Sequence, residues 1–197
     1  LIQLLAKTAP GEEREAADRA LWMSCQKIAD PAARVAPLLA AMEHADKTGR
    51  CALLPSLARM GGEQPLGAVH VAMQSQDQEV RDAGYRALAN WPDATVISEL
   101  LDIAKTSDVP SYRIWSLRAY ARLVSLPSER PVQETYEMLK NVLEMATRTE
   151  DQELIISRLG AVRTPEALAL LLPFLDQVEL RAAAVPAVFE LAKGLSQ

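Results

Sequence analysis

His44 and His70 are the only histidines in the chain, and they stand 26 positions apart. Neither belongs to an H-x-x-x-H arrangement or lies near a cysteine at metal-site spacing, so no metal centre is expected. Cys25 and Cys51 are too few for a disulfide framework and too far apart for a Cys-x-x-Cys redox pair. Each sits in an apolar helical pattern, which points to buried free thiols, with a disulfide between adjacent helices as the alternative. Gly61-Gly62 runs into Glu63-Gln64 rather than Lys-Ser, so it does not form a phosphate loop, and there is no nucleophile elbow. The carboxylate pairs Glu12-Glu13 and Glu150-Asp151 stand at helix starts, where the helix dipole explains them without general acid chemistry. The expectation is therefore no catalytic residue and no cofactor.

Binding is better represented. Arg59, Asp82, Tyr85, Arg86, Asn90, Trp115, Arg118 and Arg122 are the candidates for an exposed interaction face. Within this set, Tyr85, Arg86, Arg118 and Arg122 put an aromatic ring with planar cations, a combination that anchors a peptide, an acidic partner or an anionic ligand. The plainer alternative is that these side chains merely solvate helix surfaces. Trp91, just before Pro92, is expected to pack over a connection; Trp115 either packs between units or lines a groove; Trp22 covers an open end.

Bulk properties narrow the classes. The formal charge of -5 and pI near 5.2 argue against an extended nucleic-acid surface, which needs clustered Lys and Arg. At 49% apolar and 24% charged the composition is that of an ordinary globular chain. Aromatics are only 5%, and the abundance of Ala and Leu favours helix over strand. No run of eighteen apolar residues is present for a membrane span. The opening LIQLLAKTAP lacks the basic start and long apolar stretch of a signal peptide, and it lacks an initiating Met, so a piece of a longer protein is expected.

The elements that would position these residues read as paired helices. LIQLLAK looks like the remainder of an outer helix, broken at Pro10-Gly11, and a long helix follows from Glu12 to about Ile28, ended by Asp30-Pro31. Then come outer and inner helices near 33–45 and 47–60, with Pro37 placed in a first turn and Pro55 expected to bend its helix. Gly61-Gly62 closes that pair. The later pairs are 64–74 with 79–91, 94–106 with 110–124, 132–147 with 151–162, and 165–175 with 177–193.

Superposing the inner helices exposes a repeat. Asp46, Asp77 and Asp108 are spaced by 31 and 31 residues, and Asp176 recurs after a longer unit. Arg50, Arg81, Arg113 and Arg181 follow them by 4, 4, 5 and 5 residues, then Leu53/Leu57, Gly84/Leu88, Ser116/Tyr120 and Ala184/Val188 fill matching ranks. One unit departs, with Gln152 in the arginine's place. A lone helical hairpin cannot bury its apolar face, but stacked hairpins can, and small residues let them approach. The repeated Asp and Arg are expected to meet counterparts in adjacent units as a ladder of charge-assisted hydrogen bonds.

With D-x-x-x-R-x-A-x-x-x-A-L at Asp77 to Leu88, looser D-x-x-x-x-R forms at Asp108 and Asp176, and connections at Gly61-Gly62 and Thr164-Pro165, the chain resembles the HEAT-repeat family, in particular short bacterial repeats of about 31 residues. The resemblance implies an all-α, right-handed α-solenoid of about six stacked antiparallel helix pairs, similar to ARM/HEAT superhelices. It implies one domain over 1–197, with units near 1–30, 31–62, 63–92, 93–126, 127–163 and 164–197. RALANWPDAT, the Arg113-to-Arg122 helix and TPEALALLLPFLD also resemble HEAT regions of large exported bacterial proteins, which implies a periplasmic or cell-surface home. The function implied is a non-catalytic protein–protein interaction or scaffold domain working through a concave inner-helix face, toward another protein or neighbouring domains of its parent chain. Alternatives are a purely structural connector, or an enzyme similar to HEAT-like bilin lyases or DNA glycosylases.

Overall fold

In a computed structural model, which describes residues 1–196, every regular element is helical, and no strand occurs among the described residues. The α-helices are α1 (Ile2–Lys7), α2 (Glu12–Cys25), α3 (Pro31–His44), α4 (Lys47–Met60), α5 (Glu63–Met73), α6 (Gln78–Ala89), α7 (Ile97–Thr106), α8 (Pro110–Val124), α9 (Val132–Met145), α10 (Thr149–Leu159), α11 (Pro165–Leu171) and α12 (Arg181–Leu195). Tight 3-10 turns at Ala94–Val96 and Leu172–Asp176 precede α7 and follow α11. None of these helices is long and apolar enough to cross a membrane.

The chain forms two compact units, one over Leu1–Asp93 and one from Ala94 onward. In each, successive helices pair and the pairs stack, the packing of an α-solenoid. In the first unit α3 pairs with α4 and α5 with α6, while α4 lies along α6. Leu5, Leu21, Leu38, Leu53 and Leu57 meet in its core. Helix α1 rests mainly on α4, an inner helix, rather than on α3 as an outer remnant would. In the second unit α7 pairs with α8, and α8, α10 and α12 form an inner row. Leu139, Ile155, Ile156, Leu159, Leu171 and Leu191 are fully buried there.

Several boundaries differ from the sequence pattern, each for a local reason. Helix α2 stops at Cys25, and Asp30 begins the next helix instead of ending this one: its carboxylate accepts from the amides of Ala32 and Ala33, and Pro31 takes the first helical position. Because α3 thus starts at Pro31, Pro37 falls in the helix interior, not its first turn. Pro173 leaves α11 only seven residues long and the chain continues as a 3-10 turn to Asp176. Gly61 and Gly62, at φ 66° and 89°, make the turn from α4 to α5 in a region that side chains disfavour.

The aspartates and arginines of the repeat work differently from a ladder between units. Asp46 caps α4 by accepting from Gly49, and Asp77 caps α6 by accepting from Glu79 and Val80. Asp108 and Asp176 do not cap. Val109 takes the position before Pro110, and α12 begins only at Arg181, after Leu180.

The arginines reach backwards within their own pair. Arg50 Nε donates to the carbonyl of Ala45 (3.1 Å), Arg81 Nη1 to Ser75 (2.7 Å) and Arg181 Nε to Leu175 (2.7 Å). Arg14 Nε does the same to Thr8 (2.7 Å), and Gln152 Nε2, in the arginine's place, to Ala146 (3.0 Å). The last carbonyls of a helix have no partner within it and carry the negative end of its dipole, so a donor in the first turn of the next helix clamps the hairpin. Gln152 keeps the clamp without the charge. Such a bond contributes about 1 kcal/mol.

A link between pairs does occur at Lys47, whose Nζ lies 3.4 Å from Asp77 and 2.9 Å from Glu79. The Glu79 carboxylate, more than Asp77, raises the Lys47 pKa. Burial pushes the Asp77 carboxyl upward, but the Val80 and Glu79 amides and Lys47 outweigh it and hold the group below its ordinary value.

Candidate interaction face

On α6, Val80, Gly84, Ala87 and Leu88 face the core. Asp82, Tyr85, Arg86 and Asn90 follow the complementary spacing of i, i+3, i+4 and i+8, which places them together on the other side. Arg86 and Asn90 are exposed, whereas Asp82 and Tyr85 are half-buried. Asn90 Nδ2 donates to the Arg86 carbonyl at 2.8 Å, which closes the helix end. Trp91, next in sequence, is completely buried, and its amide donates to Leu88. It packs as a core residue at the connection.

Arg59, on α4, belongs to a constellation with α2. Its Nη2 lies 2.8 Å from Asp18 Oδ2, and its guanidinium carbon stands 5.6 Å from the centre of the Trp22 ring. Buried Ser56 donates to the other oxygen of Asp18 at 2.5 Å. Trp22 therefore serves as a platform for a cation, half-buried within the unit. Neither Asp18 nor Ser56 stood out in the sequence. They lie 38 residues apart, and only the tertiary fold of the first unit brings them together.

In the second unit Trp115, Arg118 and Arg122 share one side of α8. The Trp115 ring sits 5.7 Å from that of Tyr112, tilted by 40°. Arg118 Nε donates to Asp151 Oδ1 at 2.5 Å, across 33 residues of sequence. Asp151 is only 3% exposed, and the Arg118 side chain is 39% exposed. The pair thus has one partner, the Arg118 guanidinium, partly open to solvent and the other, the Asp151 carboxylate, enclosed by protein. Burial presses the Arg122 pKa down, and the nearby Arg158 charge presses it further. Arg158 does not stand out in the sequence because it occupies no repeat rank of the arginine series, and Asp151 reads there only as a helix-start carboxylate, not as a partner of Arg118.

The thiols are free, Cys25 buried and Cys51 half-buried, and burial raises the pKa of both. Such thiols are poor nucleophiles. Among the described residues no group of three or more His, Cys, Asp or Glu is placed to hold a metal ion. The chemistry on display is ion pairing and ring contact.

Among curated proteins none matches the chain. The crystal structure of an engineered protein is similar over 98% of this chain and 95% of its own, at 21% identity and a TM-score of 0.46. A family model described as HEAT repeats matches residues 35–121. Residues 35–121 are therefore a HEAT-repeat-like region.

Proposed function

We propose that the chain is a non-catalytic interaction domain that holds a partner protein, or a neighbouring domain of its own parent chain, against the inner-helix side chains. The observation behind this is the segregation on α6 and α8. Buried residues such as Gly84, Leu88, Ser116 and Tyr120 occupy one side, while Asp82, Tyr85, Arg86, Asn90, Trp115, Arg118 and Arg122 occupy another. Aromatic and Arg side chains anchor interfaces disproportionately, because they present large area and several donors at little entropic cost. Exposed guanidiniums on the inner helices, Arg86 on α6 and Arg158 on α10, suit an acidic partner. The same reading treats the repeats as one domain of a larger protein.

One observation favours a second reading, the rigid connector. Arg59 and Arg118 are already engaged by Asp18 and Asp151, so two members of the proposed face serve the fold itself. An affinity-capture comparison separates the two readings. The wild-type chain and Tyr85→Ala/Arg86→Glu are immobilised and exposed to extract of the source organism, and a specifically retained protein is quantified. The interaction reading predicts at least a tenfold loss for the variant at unchanged helicity. Equal recovery leaves the connector.

A further inference from the structure

A groove of about 530 Å³ opens in the second unit, where the end of α7 and the first half of α8 meet the turn from α9 into α10. Lys105, Arg113 and Arg148 line it with charge, and Ile114, Leu117 and Met145 with apolar surface. We propose that this groove receives an extended acidic segment of a partner protein, with a carboxylate between Arg113 and Lys105 and an apolar side chain against Ile114, Leu117 and Met145. The proposal rests on the interaction reading and adds to it a second contact surface, centred on Arg113 and reaching Arg118 only through Asp151 on its wall.

Arg113 is the residue that sets the groove apart. Its rank in the repeat is that of Arg14, Arg50, Arg81, Gln152 and Arg181, and each of those donates to a carbonyl five or six residues earlier. Arg113 makes no such bond among the described residues. The turn before α8 is closed differently: the Val109 amide donates to Ser107 Oγ, and Pro110 starts the helix. The clamp is dispensed with, and an exposed guanidinium stands at the groove instead.

The acids nearby do not cancel this charge. Asp151, on the groove wall, is engaged by Arg118. Glu150 lies 3.3 Å from Arg148 in a solvent-exposed pair, and such pairs hold together by little, so an incoming carboxylate can exchange with it. Lys105 has no carboxylate within ion-pair distance among the described residues. Planar guanidinium and carboxylate groups match as bidentate partners, which suits Arg113 to an acidic side chain.

The occupant is a peptide rather than a nucleic acid for two reasons. No aromatic ring lines the groove to stack a base, and the chain as a whole carries -5 charges, which repels a long phosphate backbone. The volume suits a few side chains, and the mixed lining calls for alternating acidic and apolar residues.

Fluorescence anisotropy with a labelled Glu-Leu-Glu-Glu-Leu-Glu peptide and its Gln-for-Glu counterpart tests the assignment on the full chain. Expected is binding of the acidic peptide that weakens as salt rises and falls about tenfold in Arg113→Glu, with the Gln peptide at least tenfold weaker on wild type. Absence of binding by wild type, equal binding by Arg113→Glu, or full displacement by millimolar inorganic phosphate would each overturn the peptide groove. Arg113 is exposed and unbonded, so its replacement leaves the fold intact, and circular dichroism verifies this. A captured partner distinguishes the two surfaces. Loss on Tyr85→Ala/Arg86→Glu with full retention on Arg113→Glu sinks the groove and keeps the inner face; the converse keeps the groove and sinks the face.

Discussion

Arg118→Ala will lower the stability of the chain by about 2–3 kcal/mol in urea denaturation. The Asp151 carboxylate is almost fully enclosed and takes its hydrogen bond from Arg118 Nε. Removing one partner of a buried ion pair commonly costs about 3–5 kcal/mol, because the other charge is left without compensation. The lower figure applies here because the Arg118 side chain is 39% exposed, and water entering its place recovers part of the loss. The paired replacement Arg118→Met/Asp151→Leu should recover most of the deficit, since it removes the stranded charge along with its partner. If Arg118→Ala proves neutral, the pair is a surface contact of no structural weight.

Gly84→Ala is expected to destabilise the protein by about 2 kcal/mol, although glycine to alanine inside a helix ordinarily gains about 1 kcal/mol. A Cβ at Gly84 would stand 2.7 Å from the backbone nitrogen of Met73 and 3.0 Å from the carbonyl carbon of Ala72. Those are backbone atoms of α5, so the two helices of the pair must move apart, and overpacking of this kind costs about 1–3 kcal/mol beyond the lost propensity gain. Gly67 supplies the control. It lies within α5, where an added Cβ meets nothing within 4 Å, so Gly67→Ala should stabilise by about 0.5–1 kcal/mol. The two variants differ only in what surrounds one methyl group. Midpoints shifting in the same direction would show that helix approach at Gly84 does not limit the fold.

The parts of this structure that were legible in the sequence are those governed by local rules. Asp77 followed by an apolar pattern marks a capped helix start, Pro110 a first helical position, and Gly61-Gly62 a turn, and each is found there. Asp30 misled because the same residue type serves the end of one element and the start of the next, and only its bonds to Ala32 and Ala33 decide. The arginine series was recognisable as a repeat, but its targets were not. A side chain bonding a carbonyl depends on how tightly the hairpin turns, and the Asp-to-Arg spacing resembles an ion-pair pattern equally well. Gln152 was the available clue, since a residue that keeps the donor and drops the charge argues for a carbonyl acceptor.

The pairings of Asp18 with Ser56 and Arg59, and of Arg118 with Asp151, were beyond sequence reasoning for another reason. They join residues more than thirty positions apart on different helices, and which side chains meet depends on the rotation of each helix about its axis. Gly84 shows the same limit. In the sequence it weakens a helix, while in the structure it permits α5 and α6 to touch.

The central claim is that partner contact falls on the inner helices. Hydrogen–deuterium exchange of the chain, free and bound to its captured partner, tests this most directly, since binding slows the opening of the covered helices. The prediction is protection in the peptides spanning 82–90 and 115–122, with the outer helices α3 and α5 unchanged. Protection confined to those outer helices would contradict it.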